Sequence, residues 1–375
     1  MDLVKMQPVW FETGISQAVD VAVVRRMAED AARRLSFSDV RRDEAMLVAS
    51  ELAQNHLGHH TKGGLVRISG MVINGAPCLT IASLDEGPGI PDVDEALKDG
   101  FSTSGGLGMG LGTVKRLADR FFICSGRVGT SPCPDLGPYA SFSTVVTALL
   151  RDREEQAYPS VDSLPRFCIP GRGLDLAALI RPYSGQTYSG DGMFCQDDGR
   201  FCRICLVDAT GHGRPAAEVS CMVMDTLAGL SLNLGLDEVL RALGASLAGS
   251  AGASIYIVLL DRDLCEVRTA GVGNVACIFY LDGDRRGAVC QPGVLGNGHL
   301  TYERCETYGF SSRVLCFMHS DGVKPPMDLS PGLALQPFPS DVWGQIFFRP
   351  DPSIEDDASL VVWQWQNTAV RNIKK

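Results

Sequence analysis

The 375-residue chain contains no Gly-Lys dipeptide, which excludes a Walker-type P-loop, where a lysine follows the glycine loop. No cysteine has an arginine six positions on, so the cysteine-based phosphatase pattern is excluded too. No apolar run approaches the ~18–20 residues a membrane helix needs. The first residues include Asp2 and Lys5 and lack the apolar segment of a signal peptide. Basic residues are in deficit: 34 Lys and Arg against 44 Asp and Glu give a formal net charge of −10. That balance argues against nucleic acid as the main ligand, because phosphate contacts favour basic surfaces. No internal repeat of ~20–50 residues is visible. An evenly paired disulfide framework is missing as well. The thirteen cysteines are odd in number and scattered through apolar stretches, as expected of reduced thiols in a cytosolic core. Cys202-Arg-Ile-Cys205 is a lone CxxC on a predicted strand. Residues three apart there point to opposite faces, so the pair reads as structural.

What is present is glycine beside acid. Asp85-Glu-Gly-Pro-Gly-Ile90 sets one carboxylate next to a tight turn, and Ser102-Thr-Ser-Gly-Gly-Leu-Gly-Met-Gly-Leu-Gly-Thr113 is a glycine loop running into a helix predicted over Leu111–Arg120. Leu111, Val114, Leu117 and Ala118 have helical spacing, with Lys115 and Arg116 on the outer side. A glycine loop ending at a helix N-terminus offers free backbone N–H groups and a positive dipole end to phosphate oxygens. The strand–GxGxxG–helix opening of a dinucleotide fold is absent. Upstream, a helix is predicted over Asp43–His56, with Ala45, Val48, Ala49 and Leu52 as its apolar stripe and Glu51 and Asn55 four apart beside it. His56, His59 and His60 read as a polar helix exit.

Helical Ser50-Glu-Leu-Ala-Gln-Asn55, the Asp-x-Gly-Pro-Gly turn and the glycine lid, in that order, resemble the GHKL ATPase family. Within it they are most similar to the anti-sigma-factor serine kinases of RsbT type, over residues 15–150. The resemblance implies a Bergerat-type α/β sandwich that binds ATP. Asn55 would ligate Mg²⁺, Asp85 would accept from the adenine amino group, and Gly87 and Gly89 would let the backbone approach the base. Gly105, Gly106, Gly108 and Gly110 would form the phosphate lid, and Glu51 would be the general base for a substrate hydroxyl. The family's closing Gly-Thr strand is altered here, because Gly129-Thr130 precedes a Pro/Gly-rich insertion. The adenine-side threonine is Thr144 or Thr130, with Thr144 preferred.

After Arg151 the sequence turns polar through Phe167, which reads as an interdomain linker. The domains expected are 1–150, a linker over 151–168, a second domain over 169–366 and a tail over 367–375. From Ile169 onward, short strands alternate with helical stretches at Pro215–Leu230 and Leu236–Leu247. Strands are predicted over Ser254–Leu260, Glu266–Ala270, Ala276–Tyr280 and Arg313–Met318. Mixed in this order, they indicate an α+β layered sandwich. Asp197-Asp-Gly199, Asp261-Arg-Asp263 and Asp282-Gly-Asp284 read as hairpin turns.

Four other aspartates sit at strand ends, in Ser189-Gly-Asp-Gly192, Asp208-Ala-Thr-Gly-His-Gly213, His319-Ser-Asp-Gly322 and Glu355-Asp-Asp-Ala-Ser-Leu-Val-Val362. Converging carboxylates make a hard oxygen site for Mg²⁺ or Mn²⁺, and two such ions can aim a shared water at phosphorus. These motifs, with Ala270-Gly-Val-Gly-Asn274 and Pro292-Gly-Val-Leu-Gly296, resemble the SpoIIE/RsbX branch of the PP2C metallophosphatases, which are α-β-β-α sandwiches. The resemblance implies that Asp191 bridges two metals and acts in catalysis, with the Gly192 carbonyl, Asp208, Asp321 and Asp356 completing the pair. Asp356 aligns better than Asp357. His212 is read as serving the helix start in preference to donating a proton.

Together the two resemblances imply a cytoplasmic bifunctional regulator. A protein serine/threonine kinase would be joined to a Mn²⁺- or Mg²⁺-dependent phosphoserine/phosphothreonine phosphatase, acting on STAS-domain partners of a partner-switching or stressosome pathway. The alternative is a phosphatase whose non-catalytic ATP-binding domain serves as a regulatory switch. By analogy with related kinases, a homodimer through the first domain is a further expectation.

Overall fold

The structure is a computed structural model that describes residues 8–58, 63–73, 76–98, 110–125, 142–152, 174–297, 305–325, 328–336 and 338–367. The described residues fall into two compact units, within Val9–Ser160 and within Val161–Lys375.

The first unit runs β1 (Val9–Gly14), α1 (Ala18–Arg34), α2 (Asp39–Gly58), β2 (Leu65–Ile73), β3 (Ala76–Asp85), α3 (Val93–Ala96), α4 (Gly110–Leu117), β4 (Arg120–Ser125) and β5 (Thr144–Arg151). Its sheet has the order β1-β2-β3-β5-β4, with every neighbouring pair antiparallel. Helix α2 starts four residues before the predicted Asp43, because Ser38 caps it: the Ser38 hydroxyl accepts from the Arg41 N–H at 3.4 Å. The predicted stripe of Ala45, Val48, Ala49 and Leu52 is buried, packed with α1 residues Val24, Ala28 and Ala31 onto Ile68, Ile81 and Ala148 of the sheet. Helix α4 is shorter than predicted. It stops at Leu117, and Arg120, expected to be helical, opens β4 instead. The Asp119 N–H bonds the Leu149 carbonyl at 2.9 Å, drawing the chain into the sheet before another helical turn can form.

The second unit continues with β6 (Leu174–Arg181), β7 (Asp191–Asp197), β8 (Phe201–Ala209), α5 (Gly213–Gly229), α6 (Leu236–Ser246), β9 (Ala253–Asp261), β10 (Glu266–Val272), β11 (Ala276–Leu281), β12 (Asp284–Gly287), β13 (Glu306–Gly309), β14 (Arg313–His319), α7 (Pro331–Ala334), α8 (Ser340–Phe347) and β15 (Ala358–Gln366). Among the described residues two five-stranded sheets form, ordered β13-β10-β9-β8-β7 and β12-β11-β14-β15-β6. Strand alternation builds the layers. On β8, Cys202, Ile204 and Leu206 enter the core between the sheets, while Cys205, Val207 and Ala209 pack under α5 and α6. Helix α8 covers the outer face of the other sheet, stacking Trp343 and Phe347 edge-on against Phe317. Gly344 allows that approach, since a Cβ there would lie 2.6 Å from Leu179 Cδ1. The result is the expected α-β-β-α order of layers.

The acidic turns have tertiary partners. The Asp282 carboxylate accepts backbone N–H groups from Ser311, Ser312 and Arg313 at 2.6–2.9 Å, tying the β11–β12 turn to the start of β14. Ten described cysteines are free thiols, in line with the reading that the cysteines form no disulfide framework, while Cys124 on the edge strand β4 is disulfide-bonded. Among the described residues no helix is long and apolar enough to cross a membrane.

Candidate functional site

In the first unit, Glu51 and Asn55 lie one turn apart on α2, both half-buried. The N-terminus of α4 comes to them: a Cβ on Gly110 would stand 3.3 Å from Asn55 Oδ1 and 3.7 Å from Glu51 Oε2. Burial raises the Glu51 carboxyl above its ordinary pKa, the direction that suits a proton acceptor. Gly105, Gly106 and Gly108 lie outside the described residues, as do Thr130, His59 and His60.

The far wall is built at the end of β3. Asp85 is buried, and its Oδ1 accepts the Gly87 N–H at 2.8 Å, closing the turn. Gly89 has φ +77°, a left-handed conformation that favours glycine. Thr144 pairs across the sheet with Asp85, and its hydroxyl meets that of Ser125 at 2.9 Å. Ser125 in turn accepts the Ile90 N–H at 2.6 Å. Ser143 donates to the Gly87 carbonyl at 2.6 Å. Sequence reasoning missed Ser125 and Ser143, which brace the turn from strands distant in the chain. His56 corrects the polar-exit reading. It is buried, its Nε2 lies 2.9 Å from the Ser83 hydroxyl, and burial lowers its pKa to about 4. The helix keeps this imidazole neutral and inside.

In the second unit, strand geometry gathers the aspartates at one rim of the sandwich. Asp191, the first residue of β7, lies directly opposite Asp208 near the end of β8. Directly opposed residues of an antiparallel pair share a face. Both side chains therefore lie on the parity of Ile204 and Leu206, toward the other sheet. That sheet supplies Asp321, just after β14, and Asp356 and Asp357, just before β15. The Ser320 hydroxyl donates to Asp191 Oδ2 at 2.7 Å, linking the two sheets. Gly322 makes the close approach possible, since a Cβ there would fall 2.0 Å from the Asp357 carbonyl oxygen. Gly192 follows on β7, paired with Val207.

The electrostatics are those of charges gathered without a counter-ion. Asp191 is buried, and desolvation together with the Asp208 charge raises its pKa well above the ordinary carboxylate value. Asp208 is pushed up to about 7, first by burial and then by Asp321, Asp356 and Asp357. Among the described residues, none of these five aspartates is ion-paired with Lys or Arg. Asp357 plays a structural part, because its two oxygens accept the Tyr183 and Gly190 N–H groups at 2.6 Å each. Asp356 spends one oxygen on the Asp357 N–H, at 2.8 Å. His212 holds the N-cap position of α5 without a side-chain cap bond, and its ring rests 4.7 Å from that of Tyr183. Asn274, which the sequence marked only as the end of the Ala270–Asn274 motif, donates to Asp321 Oδ2 at 2.6 Å.

As placed, no three His, Cys, Asp or Glu side chains among the described residues close around a single point. Asp191 and Asp208 stand opposite each other in register, and an ion such as Mg²⁺ keeps several waters and takes only one or two carboxylates. The donor set fits: hard oxygens, partly buried, mutually repelling and without a cation. Asp191, Asp208, Asp321 and Asp356 are the residues that would hold such ions.

Residues 16–131 match the histidine kinase-like ATPase domain. The serine/threonine-protein kinase RsbT of Bacillus subtilis (strain 168) is 41% identical over 106 residues, which are 28% of this chain and 79% of that protein. Among solved structures, RsbX in complex with magnesium is 17% identical at a TM-score of 0.45, with 51% of this chain and 95% of that one covered. The phosphatase domain of SpoIIE from Bacillus subtilis is 16% identical at a TM-score of 0.36, with coverage of 52% and 93%. Through its N-terminal domain, the chain belongs to the histidine kinase-like ATPase family, in company with the serine/threonine-protein kinase RsbT.

Proposed function

We propose that this chain sets the phosphorylation of a protein partner from both directions. The first domain, 1–150, transfers phosphate from ATP to a serine or threonine hydroxyl. The second, 169–366, beyond a linker at 151–168, removes it with Mg²⁺ or Mn²⁺. The observation that carries the reading is the coexistence of two built sites on one chain. Glu51 and Asn55 face the Gly110 helix start in one unit, and Asp191 and Asp208 stand in register at the acidic rim of the other.

In the first site, Glu51 accepts the hydroxyl proton, Asn55 serves the Mg²⁺–phosphate end, and Asp85 with Thr144 serves the adenine end beside Gly87 and Gly89. Gly105, Gly106, Gly108 and Gly110 cover the phosphates. In the second, bound divalent ions would supply a water of lowered pKa and neutralise charge on the phosphoryl group. The chain's own contribution is to hold Asp191, Asp208, Asp321 and Asp356 at one rim, with the Gly192 carbonyl beside Asp191. The substrate class is a STAS-domain phosphoprotein of a partner-switching or stressosome pathway, an assignment supported by the likeness to RsbT. Both sites operate in the cytoplasm, and a homodimer through the first domain accords with that likeness.

The test is to incubate the full chain with a STAS-domain partner, γ-labelled ATP and Mn²⁺. Glu51→Gln should lower label transfer by roughly 10²–10⁴-fold, the range for losing a general base, while ATP still binds. Asp191→Asn should let the label accumulate on the partner. Neither transfer nor release by the wild type would overturn the proposal. Release without transfer would leave the first domain as a nucleotide-loaded switch.

A further inference from the structure

The turn between β10 and β11 crosses from one sheet of the second unit to the other, and it passes over the acidic rim. Its geometry is tightly set. Gly273 has φ +99°, and a Cβ there would lie 2.1 Å from the Ser254 hydroxyl and 2.5 Å from Ser254 Cβ. Ser254 lies opposite Asp208 in the β8–β9 register. The Gly273 N–H is fixed by the Gln291 carbonyl at 2.9 Å, and Val275 is buried on the other side. Held between these anchors, the exposed Asn274 turns its carboxamide onto the rim. Nδ2 donates to Asp321 Oδ2 at 2.6 Å.

Asp208 comes from one sheet and Asp321 from the other. Two carboxylates facing each other repel, and the other bonds across the rim go to Asp191 and Asp357. A primary amide donates to a carboxylate without adding charge. An aspartate at 274 would add a further negative charge, and an alanine would leave Asp321 without this bond.

We propose that Asn274 is a positioning residue of the metal site: held on a turn that packs against Ser254, opposite Asp208, it fixes the Asp321 carboxylate of the other sheet in the orientation a divalent ion requires. This rests on reading the acidic rim as a divalent-ion site. Groups that orient ligands in this way are worth about 10–100-fold in metal affinity when removed.

The test uses the full chain and Mn²⁺ alone, followed by calorimetry and by the electron paramagnetic resonance of free Mn²⁺. Asn274→Ala should weaken Mn²⁺ binding about 10–100-fold, with its melting temperature in excess chelator close to wild type because the side chain lies on an exposed turn. Asn274→Asp keeps the shape and adds charge, so Mn²⁺ should raise its melting temperature by more than it raises that of the wild type. Unchanged Mn²⁺ affinity in Asn274→Ala, or an unchanged Mn²⁺-induced shift in Asn274→Asp, would overturn the role of Asn274 while leaving the ion site standing. Wild-type protein that binds no Mn²⁺ would overturn the ion site itself, and this proposal with it.

Discussion

Asp356 and Asp357 are adjacent in sequence, yet Asp357 clasps two loops while the proposed site assigns Asp356 to an ion, and replacing them one at a time should separate stability from ion binding. Asp357 places Oδ1 on the Tyr183 N–H and Oδ2 on the buried Gly190 N–H, both at 2.6 Å. Hydrogen bonds to a charged group contribute roughly 1.5–3 kcal/mol each. Removing the carboxylate also relieves repulsion from Asp356, which offsets part of the loss. Asp357→Ala should therefore cost about 2–4 kcal/mol. For a unit of this size each kcal/mol moves the melting temperature by roughly 2–4 °C, so a fall of about 5–15 °C is expected. Asp357→Asn keeps one acceptor and should fall in between. Asp356→Ala loses only a local bond to the Asp357 N–H and should melt within about 2 °C of wild type, while weakening Mn²⁺ binding. The assay is thermal unfolding in excess chelator followed by Mn²⁺ titration, with amide exchange at Gly190 as the local probe. If Asp357→Ala melts with the wild type and protects the Gly190 amide equally well, the carboxylate does not clasp these loops.

His56 should make the first unit acid-sensitive. Its folded pKa, about 4, lies below the ordinary 6.5, so the unfolded chain takes up the proton first as pH falls. This contribution is absent above pH ~6.5 and grows to about 3 kcal/mol of lost stability by pH ~4. Urea unfolding of wild type and His56→Asn at pH 7 and pH 4.5 should show the variant losing about 2–3 kcal/mol less over that interval; equal losses would contradict the burial argument. Gly322→Ala would drive a methyl to 2.0 Å from the Asp357 carbonyl oxygen, a backbone atom that cannot swing away. Overpacking of this kind costs at least ~1–3 kcal/mol. The variant should melt lower and bind Mn²⁺ more weakly, and wild-type behaviour in both would show that the two loops are not in contact.

Much of this is legible in the sequence where side-chain periodicity and glycine placement decide the structure. The buried stripe of α2 and the spacing of Glu51 and Asn55 follow from a 3.6-residue repeat. The strand-end aspartates follow from alternation and turn chemistry. The end of α4 is not legible, because the Asp119–Leu149 bond that stops the helix joins residues 30 positions apart. Nor is the division of labour between Asp356 and Asp357, since the partners of Asp357 lie 167 and 174 residues away. Asn274 leaves a fainter trace. The glycine before it marks a tight turn between two strands, but only the meeting of the sheets shows what the amide reaches. His56 escapes a sequence reading for a related reason: its partner Ser83 sits on a strand whose register the sequence does not reveal.

The most direct test is anomalous diffraction at the manganese edge from crystals of the full chain grown with Mn²⁺. The account predicts ion peaks at the acidic rim within ligating distance of Asp191 and Asp208, with a second ion about 3.5–4 Å from the first and Asp321 and Asp356 turned toward the pair. Crystals that bind Mn²⁺ elsewhere, or that leave Asp191, Asp208 and Asp321 without an ion at saturating Mn²⁺, would contradict it.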